Sequence, residues 1–151
     1  MSITGTLDLP AGIINNAALA NPVQPGSAGL TQQNFATTTT GAAYAQASIP
    51  VPAGYSQALV MNGVSAGATN SGTTTDFLYV SASINGVTGG EQPAQTGPGA
   101  YGSGSAFAIR TLTGLTGGSI TVECGLRTGT GAWAAAAGNT ANVNALILFL
   151  K

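Results

Sequence analysis

Hydrophobic and polar positions alternate with a period of two along much of this chain. Between residues 119 and 128, Ile120, Val122, Cys124 and Leu126 alternate with Ser119, Thr121, Glu123, Gly125 and Arg127. That pattern predicts a strand with one face in a core and one in water. In residues 73–85, Leu78, Val80, Ala82 and Ile84 form an inner row, and Phe77, Tyr79, Ser81 and Ser83 an outer one. The last run, 142–150, departs from the pattern because both of its rows are apolar: Val143, Ala145, Ile147 and Phe149 on one face, Leu146, Leu148 and Leu150 on the other. A two-layer sandwich covers only one of these faces. The leucine face therefore needs a partner subunit, or the chain's own N-terminal arm, since each large side chain buried is worth about 1.5–3 kcal/mol.

Helical periodicity is nowhere sustained, and Gly, Pro and Asn clusters recur between short Thr-, Val- and aromatic-rich runs. This predicts an all-β protein, an antiparallel jelly-roll β-sandwich of about eight strands, with strands near 34–40, 44–51, 56–65, 73–85, 103–111, 119–128, 132–137 and 142–150. The sandwich is expected over residues 35–151, behind an extended N-terminal docking arm at 1–34. In that arm Leu7, Leu9, Ile13, Ile14 and Leu19 are too sparse among glycines and prolines to build a core, so they are expected to order by docking elsewhere. Three soft loops are expected at 66–75, 86–102 and 129–140.

Charge narrows the partners. Charged residues make up 5% of the chain and the net charge is -1, against a usual share of about 25%. Neither nucleic acid nor an anionic membrane would be held electrostatically by such a surface. No apolar run approaches a membrane span, and the first residues lack the pattern of a secretory signal. One cysteine, Cys124, permits no intrachain disulfide and fits assembly in a reducing cytoplasm.

Chemistry narrows further. There is no histidine, which removes the commonest general base, nucleophile activator and zinc ligand. Asp8, Asp76, Glu91 and Glu123 are scattered over different predicted elements. No catalytic, cofactor-binding or metal-ligating residues are expected. Glu123 and Arg127 share a strand face but stand roughly 13 Å apart, so each is expected to meet a cross-strand or intersubunit partner. Glu91, Gln92, Gln95 and Tyr101, with Trp133, are the candidate ligand-binding set. For Trp133, packing at a subunit contact is the competing reading.

Some stretches carry a resemblance. The segment Gly5-Thr6-Leu7, Leu9-Pro10-Ala11-Gly12 and Ile14, followed by Ala18-Leu19-Ala20-Asn21-Pro22-Val23, resembles the lead-in of tailed-bacteriophage fibre proteins. The stretch from Tyr55 to Asn70, then Phe77-Leu78-Tyr79-Val80, Ile84-Asn85-Gly86-Val87 and the ending from Val143 to Lys151, is similar to small trimeric phage fibre heads. The resemblance implies a jelly roll like that of tumour necrosis factor, with the final strand central in the inner sheet at a three-fold axis. It implies a virion protein assembled in the host cytoplasm: a homotrimer attached by its arm to capsid or tail proteins, either a capsid decoration or a short fibre or spike. Leu146, Leu148, Leu150, Phe77 and Tyr79 are the interface residues expected from their outward apolar rows. The alternative is a host receptor-binding tip or adhesin that recognises a glycan.

Overall fold

The structure is a computed structural model and describes residues 23–151. Among the described residues eight strands form two four-stranded antiparallel sheets. They are β1 (Gln24–Gln33), β2 (Ala42–Pro50), β3 (Gln57–Thr69), β4 (Asp76–Ile84), β5 (Val87–Thr96), β6 (Tyr101–Thr113), β7 (Ser119–Thr128) and β8 (Thr140–Leu150). One sheet runs β1-β8-β3-β6 and the other β2-β7-β4-β5. The pairing is nested: β4 with β5, β3 with β6, β2 with β7 and β1 with β8. This is a long hairpin rolled so that successive nested pairs alternate between the sheets, the jelly roll expected from the sequence. Its tip is the two-residue turn Asn85-Gly86, where both φ values are positive, 48° and 71°. A tight hairpin matched to strand twist requires that conformation, and Asn and Gly tolerate it.

The alternating rows point as their pattern predicts. Leu78, Val80, Ala82 and Ile84 of β4 and Ile120, Val122, Cys124 and Leu126 of β7 are buried against Val143, Ala145, Ile147 and Phe149 of β8. One polar side chain crosses this core. Asn62 of β3, fully buried, donates from Nδ2 to the carbonyls of Ser83 (2.9 Å) and Glu123 (3.0 Å) in the opposite sheet. At one end of the sandwich, buried asparagines pin the loops. Asn139 donates to Phe35 O at 2.7 Å and accepts from Thr69 N, while Asn70 holds Thr74 O and Thr96 O.

Four boundaries differ from the sequence reading. The segments at 34–40 and 132–137 are not strands; a single bridge joins Thr37 to Trp133, with both N–H to O distances 3.0 Å. Trp133 is 1% exposed. Its ring plugs the sandwich where backbone pairing gives out. Conversely, β1 falls inside the stretch expected to be a free arm, and β5 inside the stretch expected to be the loop at 86–102. Both are edge strands rich in Gly, Pro and Gln. Edge positions accept Pro and weak strand formers because one side of the backbone needs no ladder partner. The arm residues Leu7, Leu9, Ile13, Ile14 and Leu19 lie outside the described residues.

Candidate functional site

Two outer surfaces remain after the core is filled. The first is the outer face of β6, β3 and β8. Register places Ile109, Met61 and Leu146 in one row, Thr111, Leu59 and Leu148 in the next, and Thr113, Gln57 and Leu150 in the third. Phe107 is 60% exposed, Ile109 57% and Leu146 46%. Towards the other end the same face turns polar, with Ser65, Ser105 and Asn142 in one row and Thr31 donating to Asn142 Oδ1 at 2.7 Å. Gly63 lies between Phe107 and Asn144 and opens a shallow trough of about 540 Å³ there.

Phe107 and Ile109 of β6 face outward for a steric reason. From its start to Ala108 the inward positions of β6 are Gly102, Gly104, Ala106 and Ala108, and a large apolar side chain enters the core only further on, at Leu112. A Cβ at Gly104 would stand 3.1 Å from Val80 Cγ2, and one at Gly102 would collide with Thr96. The sandwich is too thin along this stretch for large inward side chains, so Phe107 and Ile109 have only the outer face.

The second surface is the outer face of β7, β4 and β5. Register sets Glu123 beside Ser83 and Thr88, Gly125 beside Ser81 and Glu91, and Arg127 beside Tyr79 and Pro93. Arg127 does not pair with Glu123. Its Nε donates to Glu91 Oε1 at 2.9 Å and its guanidinium lies 3.8 Å over the Tyr79 ring. Hydrogen bonding from Arg127 holds the Glu91 carboxyl below the usual carboxylate range and Glu91 holds the guanidinium up. Beside Gly125 a cleft of about 240 Å³ opens, lined by Ser81, Ser83, Thr88, Glu91 and Glu123 and walled on the β2 side by Ala42 and Ala43.

The predicted residues are thus distributed over both faces. Leu146, Leu148 and Leu150 share the first, and Phe77 and Tyr79 lie on the second, 6.1 Å apart. Glu91 and Gln95 face outward beside Ser81 and Phe77, whereas Gln92 sits opposite the inward Val80. Tyr101 belongs to the other sheet, where its hydroxyl lies 3.2 Å from Thr140 Oγ1. Trp133 is buried and cannot meet a ligand. The five therefore form no single site. Not assigned to any site from the sequence were Leu59, Met61, Phe107 and Ile109 on the first face and Thr88 on the second, while Ser81, Ser83 and Gly125 were placed only as outward positions. The signal for β6 was the inversion of large and small residues along it.

The described residues hold no group of three or more His, Cys, Asp and Glu able to ligate a metal. Cys124 is buried in apolar surroundings, and burial pushes its thiol up to about 11. No protein-family model matches the sequence, and no curated protein matches it. Among solved structures the chain is similar to the infectious bursal disease virus VP2 subviral particle, with a TM-score of 0.29 and 12% identity over 84% of this chain and 41% of that one. It is similar to the Gx strain structure of the same virus at the same TM-score and identity, over 84% and 40%. The chain thus spans about two fifths of the length of the structures it matches.

Proposed function

We propose that this chain is a non-enzymatic structural subunit of a bacteriophage particle, a capsid decoration or short fibre or spike. In this reading it assembles as a homotrimer through the outer face of β6, β3 and β8, and residues 1–22 attach it to capsid or tail proteins. The observation that carries the proposal is the apolar block made by Leu59, Met61, Phe107, Ile109, Leu146, Leu148 and Leu150. It spans three adjacent strands, with Phe107, Ile109 and Leu146 exposed and the other four half-buried, and a contiguous apolar patch of this kind marks an association surface. A second copy is the occupant that the central position of β8 favours, because a symmetric contact brings the same leucines together from each copy. The resemblance of the chain to phage fibre heads supports the particle.

Light scattering on the purified chain tests the assembly: a trimer is expected, and a monomer at micromolar concentration overturns it. Electron microscopy of the particle then separates decoration from fibre by copy number and position. A second reading, a host receptor-binding tip that recognises a glycan, is favoured by a different observation, the polar cleft over Gly125.

A further inference from the structure

The cleft over Gly125 has the composition of a small polar binding site. Ser81, Ser83, Thr88, Glu91, Glu123 and Gly125 line it. Ser81 is only 8% exposed, and among the described residues no side-chain hydrogen bond engages its hydroxyl. A Cβ at position 125 would stand 2.5 Å from Ser81 Oγ, so glycine is what keeps that hydroxyl open to the cleft. The neighbouring strand bulges here. Ser83 pairs with Thr88 and Ser81 with Glu91, which leaves Gly89 and Gly90 opposite one residue of β4. Bulges re-aim side chains and recur beside binding sites. From inside the sandwich, Asn62 fixes the carbonyls of Ser83 and Glu123, the strand positions that carry two of the lining side chains.

We infer that the cleft binds a neutral hydroxyl-rich ligand, one residue of a saccharide. Its inventory decides the class. The carboxylates of Glu91 and Glu123 repel phosphate and sulfate, and the polar lining gives an apolar ligand little to bury against. Two carboxylates, one of them already engaged by Arg127, are too few for a cation, and the Arg127 charge paired with Glu91 opposes an organic ammonium. A sugar hydroxyl donates and accepts at once, so vicinal hydroxyls can donate to Glu123 and Glu91 while accepting from Ser81. The volume of about 240 Å³ suits a single ring. The inference rests on the receptor-binding reading for its biological setting only, and does not depend on the trimer.

The test is a titration of the full isotopically labelled chain with the methyl glycosides of glucose, galactose and mannose, followed by amide shifts. Phosphate and ethylammonium serve as charge controls. At least one glycoside is expected to shift Ser81, Thr88 and Gly125 saturably, with little dependence on salt. Ser81→Ala and Glu123→Gln should each weaken it by about tenfold while leaving distant shifts unchanged. Glycosides that leave these amides unmoved, or that bind both variants as well as the parent, overturn the inference, as does a response to ethylammonium or phosphate alone. Host-cell binding is measured separately. Its absence removes the receptor reading, and the titration still decides the cleft.

Discussion

Asp76 opens β4 and is 4% exposed, a costly place for a carboxylate unless donors surround it. Burial pushes its pKa up, but the amides of Phe77 (2.8 Å), Thr130 (3.0 Å) and Gly131 (3.2 Å) donate to it and the net shift is downward. A lowered folded pKa contributes stability that is present above the unfolded value of about 3.9 and is lost as pH falls through the folded value. Asp76→Asn should therefore destabilise by about 1–3 kcal/mol near neutrality, by denaturant melts, and the gap to the parent should close below about pH 4. A gap that is constant with pH would remove the carboxylate from this role. Cys124 gives a second expectation at this scale. With its thiol buried and raised to about 11, it should resist a thiol reagent at pH 8 until the chain is unfolded.

At the level of elements, β8 and β6 carry the proposed assembly and β1 pairs along the whole edge of β8. Leu148→Asp places a charge in the proposed contact and should cost association about 3–5 kcal/mol, read as loss of trimer with the β signature retained. The same substitution in a chain that stays trimeric would move the contact elsewhere. Ile109→Asp should act in the same way from β6, because Ile109, Met61 and Leu146 share one row. The strand β1 pairs with β8 from Gln24 opposite Phe149 to Gln33 opposite Thr140. Deleting residues 2–22 should accordingly leave the thermal transition in place while abolishing attachment to the particle, whereas deleting residues 2–33 should lower the transition steeply by exposing the β8 edge. Equal melting of the two deletions would show that β1 contributes nothing.

For the molecule as a whole, low charge is the property that reaches furthest. Among the described residues Arg127 and Glu91 form the one ion pair, and at 30% and 38% side-chain exposure it is a surface pair that positions more than it stabilises. Assembly through apolar side chains should thus strengthen or hold constant as sodium chloride rises, since screening has little to act on. Sedimentation at low and high salt checks this, and dissociation at high salt would contradict an apolar contact.

Period-two alternation made the interior legible in the sequence: the inner rows of β4, β7 and β8 and the doubly apolar character of β8 follow from which residues are apolar and from the pleat, both local properties. The all-β class and the roll were legible for the same reason. The strands β1 and β5 were not, because Gln, Gly and Pro pair there only where a neighbouring strand offers its edge. Nor was the fate of Trp133, whose burial depends on Thr37 arriving from the far end of the chain. The cleft over Gly125 and the outward turn of Phe107 are the clearest cases. Each exists because strands distant in sequence approach closely, one at Ser81 and one at Val80, and such an approach is decided only once both sheets are packed.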